Sequence, residues 1–193
     1  MKLIFATNNR HKVAEMQSAI GNAFQLITLQ DAGIDIDIPE PHPTLEANAT
    51  EKSQTIYRLT GIDCFSEDTG LETEALNGEP GVISARYAGE GKSPEMNMQK
   101  LLSRLQPHTN RKARFRTVIS LILGGKEFLF EGICEGSIET APRGSGGFGY
   151  DPIFTPLGAS ATFGEMTLEE KSRYSHRRRA ADQLVLFLQR SSL

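Results

Sequence analysis

Two long segments between residues 113 and 138 place the strongest limit on what this chain can fold into. Their sequences, ARFRTVISLIL and KEFLFEGICEGSI, alternate polar and apolar side chains over much of their length, and Gly124 and Gly125 separate them. An alternation with a period of two is typical of a β-strand that packs one face on a core, and two consecutive glycines favour a tight hairpin turn. The pattern therefore predicts two long antiparallel strands, so the sheet that contains them cannot be wholly parallel.

The other segments add short strands and amphipathic helices. Residues 2–7 (KLIFAT) and 62–66 (IDCFS) predict buried strands, whereas the apolar residues between positions 13 and 20 recur at helical spacing. Further helices are indicated by capping residues and by helical spacing of apolar residues. They are predicted to begin near Thr44, Ser93, Thr167 and Ser175. Strands and helices are thus mixed, which indicates an α/β or α+β class built around a mixed sheet.

The composition of the chain argues against several classes of protein. The formal net charge of −3 is unlike that of a protein that coats DNA or RNA. No run approaches the roughly 20 apolar residues that span a bilayer, and the N-terminal apolar run is too short for a signal peptide. Cys64 and Cys134 lie far apart in apolar surroundings, which predicts buried free thiols in a reducing compartment. We therefore expect a cytoplasmic protein with no membrane partner and no nucleic-acid polymer as partner.

An acid pair follows directly after the predicted strand at residues 62–66. Glu67 and Asp68 are adjacent in the sequence FSEDTG, and two neighbouring carboxylates repel each other unless a cation lies nearby. Mg²⁺, held by these acids together with Glu40 and the oxygens of a polyphosphate, would supply that cation. Asp68 would also be placed to take a proton from an attacking water. A solvated turn is the alternative interpretation of the acid pair alone.

Three further segments carry residue types that suit a nucleotide. The polar loop Thr7–Lys12 joins a strand to a helix, and this geometry binds phosphate. Lys52 lies on the apolar line of its helix, so its ammonium group either snorkels to the surface or points into a cleft. The glycines and aromatic rings of residues 146–151 (GGFGYD) would let a purine base approach and stack. His176 and Arg177 lie at a predicted helix N-terminus, where basic residues oppose the helix dipole unless an anion or a keto oxygen binds. Each segment also fits a turn, a core contact or a solvated face, but together they indicate a nucleoside triphosphate.

Taken in order, these motifs resemble the inosine triphosphate pyrophosphatase family, whose members hydrolyse dITP, ITP and XTP to a monophosphate and pyrophosphate. TNNRHK resembles the family's T-x-N-x-x-K loop, and EDTGLETEALNGEPGVISARYAG resembles its longest signature. GGFGYDPIF, EEKS and SHRRRA complete the pattern. PHPTLEANA departs from the family's T-G-x-T-F-x-E-N-A, because His42 replaces a glycine and Ala47 replaces a glutamate, although Asn48 and Lys52 are kept.

The resemblance implies a fold and a role for particular residues. The fold is α/β, an elongated mixed β-sheet with flanking helices and two lobes around a central substrate cleft, in one domain over residues 1–193 that forms a homodimer. Asp68 would be the general base and a ligand of the Mg²⁺ cofactor, Glu40 the second metal carboxylate, and Glu67 a neighbour of the site. Thr69 stands where many members have Ser and would keep a hydroxyl there. The residues implied to hold the phosphates are Thr7, Asn8, Asn9, Arg10, His11, Lys12 and Lys52. The residues implied to hold the base and sugar are Phe148, Gly149, Tyr150, Asp151, Lys171, His176 and Arg177.

The implied reaction is attack by a water, activated by Asp68, at the α–β phosphate linkage, with lysines and loop N–H groups stabilising the developing charge. Donation from His176 and Arg177 to a purine 6-keto oxygen would disfavour adenine by a factor of roughly 10⁴, because adenine carries an amino donor at that position.

Two other interpretations of the sequence stay open. One is a different Mg²⁺-dependent nucleotide phosphohydrolase, either one that releases phosphate or a Maf-like pyrophosphatase that takes other bases. The other is a non-catalytic module that binds a nucleotide or a nucleic acid.

Overall fold

The computed structural model describes residues 1–91 and 93–191, and it combines a β-sheet with α-helices. The domain predicted over residues 1–193 includes Lys92, Ser192 and Leu193, which lie outside the described residues. The strands are β1 Lys2–Phe5, β2 Gln25–Thr28, β3 Cys64–Thr73, β4 Pro80–Gly81, β5 Lys112–Leu123, β6 Lys126–Ile138 and β7 Phe154–Pro156. The helices are α1 Arg10–Ile20, α2 Leu45–Thr60, α3 Pro94–Leu105, α4 Leu168–Ser172 and α5 His176–Ser191. None of these helices has the length and apolarity that a bilayer crossing requires.

The strands form a mixed sheet in the order β2-β1-β3-β5-β6-β7, and β4 pairs with β3. β1 lies parallel to β2 and to β3, whereas β4 lies antiparallel to β3 and β7 lies antiparallel to β6. Gly124 and Gly125 have φ angles of 55° and 77°, the left-handed values that a two-residue hairpin turn between β5 and β6 requires. The predicted α/β class with a mixed sheet and flanking helices is therefore confirmed.

The chain divides into two compact units, and three long strands contribute residues to both. The first unit contains Met1–Asp68, Thr117–Gly132 and the residues from Arg177 on, and the second contains Thr69–Arg116 and Ile133–His176. The domain count and the central cleft that the sequence predicts stay predictions. The site residues are accordingly described below within the unit to which each belongs.

The first unit buries apolar side chains on both faces of β1. Successive side chains of a strand point to opposite faces, so Leu3 and Phe5 enter one core cluster while Ile4 and Ala6 enter the other. The first cluster contains a stacked pair of rings, Phe5 and Phe65, whose centroids lie 4.5 Å apart. It also includes the inner face of α5, whereas the second cluster includes Ile56 of α2. The helices therefore cover both faces of this part of the sheet, which explains why β1 is apolar from Leu3 to Phe5.

The second unit has its own core around three phenylalanine rings. Phe115 of β5 lies with its ring centroid 4.7 Å from that of Phe154 and 6.1 Å from that of Phe163. Leu101 and Leu105 of α3 are fully buried against the same cluster. Their spacing of four residues places them on one face of the helix, as the sequence predicts.

The predicted starts of three helices are confirmed, whereas the predicted end of strand β3 is wrong. Thr44 accepts from the amide of Ala47, Ser93 accepts from that of Met96, and the Thr167–Glu170 capping box is present. The strand predicted at residues 62–66 is wrong in length, because β3 continues to Thr73 and contains the acid pair.

Candidate active site

The acid pair lies inside strand β3 and is buried. Glu67 and Asp68 are 1% and 5% exposed, and the strand continues for five residues beyond them. Because consecutive side chains of a strand point to opposite faces, the two carboxylates do not share one environment. Each therefore needs its own cation, and the structure provides both.

Glu67 is neutralised by two basic side chains of the first unit. The Nε atom of Arg177 lies 2.9 and 2.7 Å from the two carboxylate oxygens of Glu67, and the Nζ atom of Lys12 lies 3.3 Å from Oε1. Burial opposes ionisation of Glu67, but Arg177 and Lys12 outweigh it and lower the pKa to about 2. Arg177 and Lys12 thus neutralise Glu67 within the protein, and the divalent ion predicted beside this acid stays a prediction.

Arg177 is almost completely buried, with 1% of its surface exposed. In addition to Glu67 it donates from Nη1 to Glu15 of α1. These two carboxylates explain why a basic residue is tolerated at the N-terminal end of α5, where the helix dipole disfavours it. Its predicted contact with a purine base stays a prediction.

Asp68 and Glu40 share the ammonium group of Lys52. The Nζ atom of Lys52 lies 2.5 Å from Oε1 of Glu40 and 3.2 Å from Oδ1 of Asp68, and the lysine itself is 7% exposed. The side chain of Asn48 also donates to Oδ2 of Asp68 at 3.3 Å. We call Glu40, Asn48, Lys52 and Asp68 the acid cluster. Lys52 therefore points into a polar site rather than snorkelling to the surface.

The two acids of the acid cluster have opposite pKa directions. Burial raises the pKa of Asp68, and neighbouring Glu40 adds to that rise, although Lys52 and Lys12 counteract it. For Glu40, burial also favours the neutral form, but Lys52 and Lys12 together lower the pKa. Burial disfavours the charged form of Lys52, yet Asp68 and Glu40 raise its pKa. The ammonium of Lys52 therefore stabilises the ionised form of both acids.

The loop Thr7–Lys12 is organised mainly by its own side chains. Asn9 caps α1 and accepts from the amides of His11 and Lys12 at 3.0 and 3.2 Å, while the amide of Asn9 donates to the hydroxyl of Thr7. Asn8 donates to the carbonyl of Ile36 at 2.9 Å. A phosphate in this loop would therefore meet the side chains of Lys12, Arg10 and His11 rather than the amides that Asn9 occupies.

In the second unit, the glycine-rich segment is fixed by a buried ion pair. Oδ2 of Asp151 accepts from Nζ of Lys171 at 2.6 Å and from the amide of Phe148 at 2.8 Å. The same Nζ atom lies 5.1 Å from the ring centroids of both Phe148 and Phe163. The structure thus brings Asp151, Lys171 and Phe148 together, and the contact of these residues and of Gly149 with a purine base stays a prediction.

Two predicted base contacts lie in the core of the second unit. The imidazole ring of His176 stacks on Phe115 at a centroid distance of 4.7 Å and is buried, and Tyr150 donates its hydroxyl to the carbonyl of Ser84 at 2.8 Å. Thr69, the first residue of this unit, is half-buried in β3. The substrate contacts assigned to these three residues stay predictions.

Replacing Gly147 by Ala is expected to lower the free energy of unfolding by about 3 kcal/mol, measured by urea denaturation. Gly147 has a φ of 70°, and a Cβ there would lie 2.1 Å from Oδ2 of Asp151, the atom that Lys171 binds. Gly149 has a similar φ of 64°, but a Cβ there meets nothing within 4 Å. Gly149→Ala is therefore the matched control, with an expected loss of about 1–2 kcal/mol. Equal losses in the two variants would contradict the assigned role of Asp151.

The acid cluster fits a divalent cation. Within residues 1–91 and 93–191, no group of three or more His, Cys, Asp or Glu side chains gathers at metal-binding spacing. Mg²⁺ needs fewer, because one or two carboxylates suffice when waters and phosphate oxygens complete the shell. Glu40 and Asp68 supply that number, and their shared contact with Lys52 shows that a cation can lie against both.

Two residues of the first unit were missed by the sequence interpretation. Asn48 was noted only as a kept motif position, and its place four residues before Lys52, on the same helix face, was the signal that could have identified it. Glu15 pairs with Arg177 from 162 positions away, so no local pattern could have revealed it.

Comparison with known proteins gives matches over almost the whole chain. The Ham1 family model matches residues 3–187. Proteins named dITP/XTP pyrophosphatase from Flavobacterium johnsoniae and Porphyromonas gingivalis are each 49% identical, and the alignments cover 96% and 97% of both chains respectively. The solved Ham1 protein of Staphylococcus aureus superposes with a TM-score of 0.89 at 37% identity, covering 99% of this chain and 100% of that one. A Mycobacterium abscessus structure named nucleoside-triphosphatase / dITP/XTP pyrophosphatase gives a TM-score of 0.77 at 38% identity, covering 95% and 98% of the two chains.

Proposed function

The chain belongs to the Ham1 family, and we propose that it is a nucleoside-triphosphate pyrophosphatase that hydrolyses dITP, ITP and XTP to the monophosphate and pyrophosphate. The resemblance indicated by the sequence motifs is thereby confirmed at the level of the family. This activity removes non-standard purine nucleotides from the nucleotide pool. The enzyme is proposed to act in the cytoplasm as a homodimer.

The observation that carries the proposal is the acid cluster. A buried carboxylate, Asp68, is held by Lys52 and Asn48 beside a second carboxylate, Glu40. Both carboxylates lie within contact of one ammonium group, that of Lys52. Two carboxylates that face one position suit a site that takes a divalent cation together with a polyphosphate.

The chain's own residues supply the proton transfer and the positioning of charge. Asp68 accepts a proton at a carboxylate oxygen from the water that attacks the α–β linkage. Lys52 and Lys12 stabilise the negative charge that develops on the phosphate oxygens. Glu40 and Asp68 would hold Mg²⁺, which when bound supplies additional positive charge to the phosphates.

The resemblance to the family assigns recognition of the base to Phe148, Lys171, His176 and Arg177. The ring of Phe148 offers a face on which a purine stacks, and the ammonium of Lys171 lies close to that ring. His176 and Arg177 are assigned to the 6-keto oxygen that hypoxanthine and xanthine carry. A buried donor left facing the amino group of adenine would be unpaired, and this penalty disfavours ATP.

A turnover panel with product analysis tests the proposal. With Mg²⁺ present, dITP, ITP and XTP are expected to give pyrophosphate, with kcat/KM values roughly 10⁴-fold above that for ATP. GTP belongs in the panel because guanine keeps the 6-keto group. Orthophosphate as the first product, or equal turnover of ATP and ITP, would contradict the proposal.

A further inference from the structure

Asn48 connects two parts of the first unit through a single side chain. It is completely buried, with 0% of its surface exposed. Its Oδ1 atom accepts from the amide of His42 at 2.9 Å, and its Nδ2 atom donates to the carbonyl of His42 at 3.2 Å and to Oδ2 of Asp68 at 3.3 Å. All the strong hydrogen-bonding groups of the side chain are therefore directed either at one backbone residue or at the carboxylate of Asp68.

The backbone of residues 39–43 has few hydrogen-bond donors of its own, so it relies on side chains such as Asn48 to fix its position. Residues 39–43 read PEPHP, so three of the five positions lack an N–H group and cannot join a strand ladder. His42 is one of the two residues in this segment that carry a backbone donor, and Asn48 binds both its N–H and its carbonyl. The Asn48 side chain thus makes the two backbone hydrogen bonds that a neighbouring strand would otherwise make to His42. This fixes the backbone two residues after Glu40.

Lys52 makes the same connection one helical turn later. Residues four apart on a helix lie on one face, so α2 presents Asn48 and Lys52 side by side. Each contacts Asp68, and each contacts the segment 39–43, Asn48 through His42 and Lys52 through Glu40. The two residues differ in that Lys52 is a cation that can also bind phosphate, whereas Asn48 is neutral and its partners lie within the protein.

We propose that Asn48 is a positioning residue that sets the spacing between Glu40 and Asp68, which is a role that rests on the proposed function of the acid cluster. Asn48 orients Asp68 directly and orients Glu40 through the backbone of His42. An asparagine that is buried in a helix without its hydrogen bonds destabilises a protein, so full pairing on these two partners is what makes the residue tolerable there.

The test combines amide exchange with kinetics on the full chain. In Asn48→Ala, exchange at the His42 amide in the nucleotide-free protein is expected to accelerate about tenfold or more, because its acceptor is lost. In the same variant kcat/KM for dITP is expected to fall about 10–100-fold, with the change in kcat rather than in KM. Gln54→Ala is the matched control and should leave both quantities unchanged, because Gln54 lies on the same helix and its side chain accepts from Arg58 at 3.1 Å.

Asn48→Asp keeps the acceptor of Asn48 and removes its donor, and it is the second variant if Asn48→Ala does not fold. Its carboxylate can still accept from the His42 amide, so slow exchange should persist. It loses both donations from Nδ2, to the His42 carbonyl and to Asp68, and places a carboxylate beside Asp68, so kcat/KM should still fall. The inference would be overturned if either variant had the same kcat/KM as the wild type. It would also be overturned if the His42 amide exchanged at the wild-type rate in Asn48→Ala. Failure of the wild-type chain to release pyrophosphate would instead overturn the proposed function, since amide exchange is measured without nucleotide.

Discussion

Replacing Asp68 by Asn is expected to lower kcat for dITP by about 10²–10⁴-fold while leaving the chain folded. The substitution keeps the shape of the side chain. Lys52 and Asn48 donate to different carboxylate oxygens of Asp68, at 3.2 and 3.3 Å, so the single amide oxygen of the variant keeps one of these two hydrogen bonds. The ammonium of Lys52 keeps Glu40 as a charged partner. An amide, however, cannot take a proton from water. Initial-rate assays of pyrophosphate release, with circular dichroism to verify folding, measure the two effects separately.

Glu72→Gln is the matched control for that experiment. Glu72 lies on the same strand, four residues further on, and its carboxylate binds Nε of Arg114 at 2.7 Å in the second unit. This pair is partly exposed, so its loss is expected to change stability by less than about 1 kcal/mol and to leave kcat within about twofold of wild type. If Asp68→Asn retained turnover within tenfold of wild type, another group would have to be the general base.

The fold could be predicted from local patterns wherever those patterns report directly on packing. The hairpin of β5 and β6 follows from alternation and from the two glycines, and the caps at Thr44 and Ser93 lie where the first helical turn needs an acceptor. The end of β3 could not be predicted in this way. Charged residues usually indicate that a strand has left the core, yet Glu67 and Asp68 lie in the middle of this strand.

The reason for that failure is that the compensating charges are remote in sequence. Glu67 is 110 positions from Arg177, and Asp68 is 16 and 20 positions from Lys52 and Asn48. Hydrophobic periodicity depends only on neighbouring residues, so the pattern predicts a surface turn where the fold has a buried ion network. Glu40 and Asp68 could be predicted because adjacent acids require a cation, and Lys52 because a charged residue lies on the apolar line of its helix. Asn48 is neutral and raises neither question.

Replacing Arg177 by Met is expected to lower the free energy of unfolding at pH 7 by about 3–5 kcal/mol, measured by urea denaturation. Arg177 is the shared partner of Glu67 and Glu15, and its side chain is only 1% exposed. Methionine fills a similar volume but leaves Glu67 with the ammonium of Lys12, 3.3 Å away, in place of two cationic contacts. The loss comes from a buried carboxylate that is no longer fully compensated, rather than from the attraction of the pair itself.

Arg178→Met isolates burial as the cause. Arg178 is the next residue of α5 and forms an ion pair with Asp182 at 2.7 Å, but the two side chains are 41% and 48% exposed. Water already screens this pair, so its loss is expected to change the free energy of unfolding by less than about 1 kcal/mol. Similar losses in the two arginine variants would show that helix propensity or packing, and not the buried charges, determines the result.

The pH dependence of the difference between wild type and Arg177→Met identifies Glu67 as the residue responsible. In the wild type the pKa of Glu67 is lowered from 4.5 to about 2 in the folded state, a difference that corresponds to about 3 kcal/mol. A depressed pKa stabilises the folded chain above the unfolded value, so this contribution is complete above about pH 5 and is lost as the pH falls toward 2. In Arg177→Met the largest favourable charge on Glu67 is gone, so burial pushes its pKa upward and acid no longer removes a stabilising carboxylate. The two proteins should therefore converge in free energy of unfolding between pH 5 and about pH 3, and a difference that stays constant over this range would assign the loss to a group other than Glu67.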